Sequence, residues 1–114
     1  MSTLSESSFW ILSSLASGPR HGYGILQDVE ALSHGATVIK TPTLYATLDR
    51  MQHLGQIAQA GEEIVDGRAR RYYSLTDAGR EALESEVSRL QAKARVAAAR
   101  LRATRGASTA VAPA

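Results

Sequence analysis

Residues 41–79 read TPTLYATLDRMQHLGQIAQAGEEIVDGRARRYYSLTDAG, and the punctuation of this stretch decides the fold. Thr41 is placed to cap a helix and Pro42 to take its first position, where a missing N–H costs no hydrogen bond. Leu44, Leu48, Met51 and Leu54 then recur at spacings of four, three and three, one face of a helix that Gly55 closes. Two strand-like runs follow from Gln56 around Asp66-Gly67, a pair favoured in two-residue hairpin turns because both positions must accept positive φ. In the second run Tyr73 and Leu75 share one face, while Arg70, Tyr72 and Ser74 share the other. Thr76 or Asp77 is then placed to cap another helix.

Upstream, Ser5 to Ser17 carries Phe9, Ile11, Leu12 and Leu15, a first helix that Gly18-Pro19 stops. Gly22 to Leu32 carries Tyr23, Ile25, Leu26, Val29 and Leu32 at helical spacing, and Ser33-His34-Gly35 ends it. Downstream, the last helix is expected to run to about Arg105. Leu83, Val87, Leu90, Ala94, Ala97 and Leu101 form a heptad seam along it, thinning to alanine towards its end. At about 1.5 Å per residue such a helix is roughly 43 Å long, more than a core this small can cover. A helix from a second copy is the expected cover, and a fold-back onto the chain's own domain is the alternative. Gly106 to Ala114 is low in complexity and is expected to be a disordered tail.

The 114 residues fit one domain, and 44% hydrophobic with 21% charged residues describes a globular chain. No apolar run is long enough to span a membrane. Met1 to Glu6 lacks the basic head and apolar run of a signal peptide, so the cytoplasm is the expected compartment. The absence of cysteine excludes disulfides, a thiol nucleophile and thiolate metal sites. Charge is uneven. Residues 1–67 hold three basic and seven acidic side chains, a balance of −4, whereas residues 68–114 hold ten and four, a balance of +6. That asymmetry fits a polyanionic partner, although a solvated basic helix end would look the same.

Three short helices, a hairpin and a long helix are the element order of a winged helix-turn-helix. The expected fold is therefore mainly α with a two-stranded β-hairpin wing. Residues 1–76 would be the DNA-binding domain, 77–105 the C-terminal dimerisation helix and 106–114 the tail. Arg68, Arg70 and Arg71 follow the hairpin tip, where cations suit a phosphate backbone or a narrow minor groove. Basic edge strands also resist aggregation, so this run alone is not decisive. With Leu44, Leu48 and Met51 facing inward, Pro42, Ala46, Asp49 and His53 face outward, flanked by Thr43 and Arg50 on one side and Tyr45 and Gln52 on the other. Ala46 permits close approach to a major groove. Thr43 and Arg50 suit base edges, and Tyr45 suits a phosphate. Tyr45 and Arg50 could instead brace the domain. Lys40 and Thr41, at the start of this helix, complete its candidate contacts with double-stranded DNA.

Three segments together resemble the PadR-type transcriptional regulators. They are Gly18-Pro-Arg-His-Gly-Tyr-Gly-Ile25, Thr43-Leu-Tyr-Ala-Thr-Leu-Asp-Arg-Met51 and Gly67-Arg-Ala-Arg-Arg-Tyr-Tyr-Ser-Leu-Thr-Asp-Ala-Gly79. With their spacing they cover about residues 8–90. The resemblance implies a bacterial homodimer, usually a repressor, binding a palindromic operator and joined through its C-terminal helix. The short chain looks like the subfamily with a single such helix. It implies that Tyr45 lies near phosphate and that Arg68, Arg70 and Arg71 are the basic residues of the wing. His21 and Tyr23 match the motif that opens the second helix, where packing and DNA contact are both open. Pro42 departs from the glycine usual before Thr-Leu-Tyr. Some relatives stack flat ligands on an aromatic of the dimer helix, and this helix has none. A small-molecule effector, if one acts here, would sit at Phe9 and Trp10, for which plain packing is the other reading.

Catalysis is not expected. His21, His34 and His53 lack motif-spaced partners, and Gly22-Tyr-Gly24 begins no phosphate-cradling loop. No cofactor or metal is implied. The competing class is a winged helix that serves as a protein-interaction module without reading DNA, which salt dependence of duplex binding would separate.

Overall fold

The computed structural model describes residues 4–107. The element order is α1 (Glu6–Leu15), β1 (Arg20–His21), α2 (Gly22–Leu32), α3 (Thr41–His53), β2 (Ile57–Val65), β3 (Arg68–Leu75) and α4 (Asp77–Ala107). Chain contacts divide into two units, Met1–Glu84 and Ser85–Ala114. The first is a winged helix-turn-helix. The second is the helical remainder of α4 with the residues after it; the tail expected from 106 does not begin there, since α4 continues through Ala107, and the rest of it, 108–114, lies outside the described residues.

Each boundary has a local cause. Ser5 caps α1, its Oγ accepting from the Ser8 N–H at 3.1 Å. Pro19 cannot continue a helix, and the extended pair after it forms β1. The sheet therefore has three strands in the order β1-β3-β2, not the two expected. Arg20 pairs with Tyr73 and His21 with Tyr72 on the inner edge of β3. Between α2 and α3, His34 and Gly35 adopt φ of 53 and 79, and Ser33 Oγ accepts from the Thr37 N–H at 3.0 Å, fixing the turn between the two helices. The α3 cap also differs from expectation. Lys40 is the N-cap without a side-chain bond, Thr41 is the first helical residue and Pro42 the second. Asp66 and Gly67 take φ of 51 and 76, as the hairpin turn requires.

The core of the first unit joins Ile11, Leu12 and Leu15 of α1, Ile25 and Val29 of α2, and Leu44, Leu48 and Met51 of α3. Ile39, Ile57 and Tyr73 close it, and Ala82 and Leu83 from the start of α4 pack against it. Thr76 begins α4. Its hydroxyl donates to the Gly55 carbonyl and accepts from the Gly79 N–H at 3.0 Å, hooking the helix onto the α3–β2 corner. In the second unit, Val87, Leu90 and Leu101 are exposed, and Ala94 and Ala97 of the same heptad row are too. No helix among the described residues is long and apolar enough to cross a membrane.

Candidate nucleic-acid interface

The wing is a regular antiparallel ladder from Gly61 to the turn, with Val65 opposite Arg68 and Ile64 opposite Ala69. A register shift between Gln59 and Gly61 sets this outer part apart from the pairs that enter the core. The ladder carries Arg68, Arg70 and Arg71 out beside the N-terminal ends of α2 and α3. A concavity of about 520 Å³ lies between them. Six of the sequence-derived candidates line it together: His21, Tyr23, Tyr45, Arg68, Arg70 and Arg71. Their positions span about fifty residues of sequence, so the fold has assembled them.

Tyr45 reaches this groove because Gly22 leaves room for it. A Cβ on Gly22 would overlap the Tyr45 hydroxyl and lie 2.9 Å from Cζ, so the phenol rests directly on the first residue of α2. Sequence reasoning missed this role for Gly22, since no periodicity reports a close approach between two helices. Tyr45 remains 49% exposed and Tyr23 63%, so both rings present surface to a partner.

His21 has an assigned structural role. Its Nδ1 accepts from the Gly24 N–H at 3.1 Å and caps α2, and its ring meets Tyr72 edge-on at 5.4 Å. Burial pushes the imidazole below its ordinary pKa. The nearby Arg70 guanidinium adds to this, and Glu63 opposes it. Tyr72 donates its phenolic hydrogen to Glu63 Oε1 at 2.8 Å, and that bond holds its pKa above the ordinary value.

The two helices facing the groove also differ from the others at their starts. α1 and α4 each place an acid in the first turn, Glu6 and Asp77. α2 and α3 place none, and α3 has the cation Lys40 at its cap. Neither positive dipole end has an acid in its first turn to offset it, which favours an approaching phosphate.

Lys40, Thr41, Thr43 and Ala46 are exposed along the start of α3 but do not line the concavity. Leu44, Leu48 and Met51 are buried as expected, and Thr47 joins them at 6% exposure. Arg50 points elsewhere. Its Nη2 donates to Ser8 Oγ of α1 at 3.3 Å, the bracing alternative to base reading. Arg20, not singled out from sequence, ties the α1–α2 turn through the Ser14 carbonyl at 3.3 Å and Asp28 at 3.4 Å. Phe9 and Trp10, the effector candidates, stack edge-on at 5.1 Å, and the indole N–H donates to Glu6 Oε2 at 3.0 Å. Trp10 packs, partly buried, against the core.

A family model described as the transcriptional regulator PadR-like family matches residues 11–85. Transcriptional regulator Rv3488 of Mycobacterium tuberculosis is 39% identical over 85 residues, which are 75% of this chain and 76% of the relative. A PadR family transcription regulator from Clostridium difficile R20291 shares the fold at a TM-score of 0.70 and 24% identity, over 85% of this chain and 99% of that one. Bacillus subtilis PadR in complex with operator DNA does so at 0.63 and 23%, over 70% of this chain and 46% of that one. The solved structures establish the fold, and the family match, covering more than half of the chain, establishes the kinship. This chain belongs to the PadR-like family of transcriptional regulators.

Proposed function

We propose that this regulator is a homodimeric repressor that binds a palindromic operator in double-stranded DNA. The observation that carries this reading is the assembly of Tyr23, Tyr45 and the three wing arginines around one groove, beside two helix starts without acids. In it, the start of α3 enters the major groove with Thr43 and Ala46 at base edges. Tyr45, Lys40, Thr41 and the wing arginines engage the backbone. Arg50 braces α3 against α1. The Bacillus subtilis relative, solved in complex with operator DNA, supports the same class of partner here.

Dimerisation follows from α4. Val87 and Leu90 are each 38% exposed and Leu101 67%, on the heptad row read from sequence. A second copy of that row is the natural cover, and two-fold pairing presents two reading helices to two inverted half-sites. An effector at Phe9 and Trp10 would have to compete with Glu6 for the indole N–H.

Selection of bound duplexes from a random pool tests this reading. Enriched sequences should contain two inverted half-sites, and their binding should fall steeply with salt. A pool without enrichment, bound no better than its start, would leave the protein-interaction reading instead.

A further inference from the structure

The wing is not a cationic element overall. Residues 57–75 carry Arg68, Arg70 and Arg71, but they also carry Glu62, Glu63 and Asp66, so the formal charge is zero. The acids are placed with care. The hairpin register sets Glu62 opposite Arg71 and Glu63 opposite Arg70. Neighbouring strand residues point to opposite faces and directly opposed residues share one, so each face of the wing holds one carboxylate across from one guanidinium. Glu62 Oε2 lies 3.8 Å from Arg71 Nε, with both side chains more than half exposed. On the other face Glu63 accepts from Tyr72 beside Arg70. Arg68, by contrast, has Val65 across from it.

We propose that Glu62 is an internal counterion that must release Arg71 before the wing engages duplex phosphates, and that Glu63, held by Tyr72 in the register position opposite Arg70, weakens the attraction of Arg70 for the same phosphates. The proposal rests on the DNA-binding reading above and adds a limit to it. An exposed ion pair is weak enough to be exchanged for a phosphate. The exchange has a thermodynamic signature. An unpaired arginine binding a phosphate displaces a condensed cation, and this is what makes affinity fall with salt. An arginine drawn from a carboxylate also displaces that cation, but the carboxylate left behind beside the DNA attracts one in its place. Net ion release per paired arginine is therefore smaller than for an arginine such as Arg68. Three wing arginines then behave in a salt titration as fewer than three, and affinity for DNA of any sequence is held down.

The test uses the full-length chain, a random-sequence duplex and a salt series. Glu62→Gln and Glu63→Gln preserve shape and, at position 63, an acceptor for Tyr72. Each should tighten binding roughly two- to five-fold and steepen the plot of log affinity against log salt by up to about one unit. A merely structural cross-strand pair would shift the melting temperature without changing that slope. In an Arg71→Ala background, the gain from Glu62→Gln should shrink, because the pair to be exchanged is gone. Arg68→Ala separates the two readings. If it weakens binding while both glutamine variants leave affinity and slope unchanged, the counterion proposal is overturned and wing binding stands. An undiminished gain in the Arg71→Ala background also overturns it, pointing to bulk repulsion. If replacing Arg68, Arg70 and Arg71 together by alanine has no effect, the wing does not bind DNA and both readings fall.

Discussion

Gly22→Ala asks whether the placement of Tyr45 on α2 serves DNA binding. The added Cβ would overlap the Tyr45 hydroxyl and sit 2.9 Å from Cζ and 3.2 Å from Cε1, so the ring must swing out. The backbone at this position is not left-handed, and within a helix alanine is favoured over glycine by up to about 1 kcal/mol. Against that gain stands the cost of moving a half-exposed ring off its rotamer, about 0.5–1.5 kcal/mol. The two nearly cancel, so the melting temperature should move by only a few degrees, at about 4–8 °C per kcal/mol for a domain of this size. Binding should respond more. A phenol that donates to a charged phosphate contributes about 1.5–3 kcal/mol, so its displacement should weaken duplex binding roughly ten- to 150-fold. No charge is removed, and the salt slope should stay at its wild-type value, whereas Arg68→Ala should lower it by about one. Tyr45→Phe should reproduce the loss, and adding Gly22→Ala to it should cost little more. Fluorescence anisotropy with a labelled duplex over a salt series reads affinity and slope, and a thermal melt reads stability. Wild-type affinity in Gly22→Ala, alongside weak binding in Tyr45→Phe, would refute the dependence of the phenol on Gly22.

Three further outcomes follow from other contacts. Gly79→Ala should destabilise by about 1–3 kcal/mol in denaturant, because its Cβ would overlap the Gln56 carbonyl oxygen and lie 2.9 Å from the carbonyl carbon, outweighing the propensity gain of about 1 kcal/mol. An unchanged midpoint would show that the α3–β2 corner yields freely. His21→Asn should flatten the fall in stability that begins as pH drops below about 6.5. Neutral His21 caps α2 and its folded pKa is lowered, so its contribution is complete above about 6.5 and is lost as pH falls through the folded value. Asparagine caps without titrating, and equal pH profiles for the two proteins would remove His21 from this role. Leu90→Asp should yield monomers in sedimentation, since it places a charge on the seam of α4; a wild-type chain that is itself monomeric at micromolar concentration would end the dimer reading.

Much of the architecture was legible because its causes are local. Gly18-Pro19, Ser33-His34-Gly35, Gly55 and Asp66-Gly67 break the chain where the structure breaks it, and positive φ at Asp66 and Gly67 is the turn chemistry their identities demand. β1 was illegible for the complementary reason. Two residues carry no periodicity, and they become a strand only because β3, fifty residues later, offers an edge. The start of α3 shows how coarse a proline signal is. The first four N–H groups of a helix lack internal partners, so proline at the first or second position forfeits nothing. Pro42 therefore marks the start without distinguishing Thr41 from Lys40 as the cap.

The groove divides along the same line. Its arginines stand out by composition, immediately after a hairpin tip, and needed no tertiary knowledge. Gly22 beneath Tyr45 is purely tertiary. The acids of the wing are a third case, in which the information was present but the inference takes one more step. A two-residue turn at Asp66-Gly67 makes Val65 and Arg68 partners, and counting outward from that pair sets Glu63 against Arg70 and Glu62 against Arg71. The charge pairing of the wing is thus a consequence of turn length. One residue more in the turn would slip the register and carry each carboxylate away from its arginine, leaving net charge unaltered if the added residue is neutral. On the counterion proposal, the DNA affinity of this wing depends on its turn as well as on its arginines, and counting basic residues overstates the attraction such a hairpin exerts on a phosphate backbone.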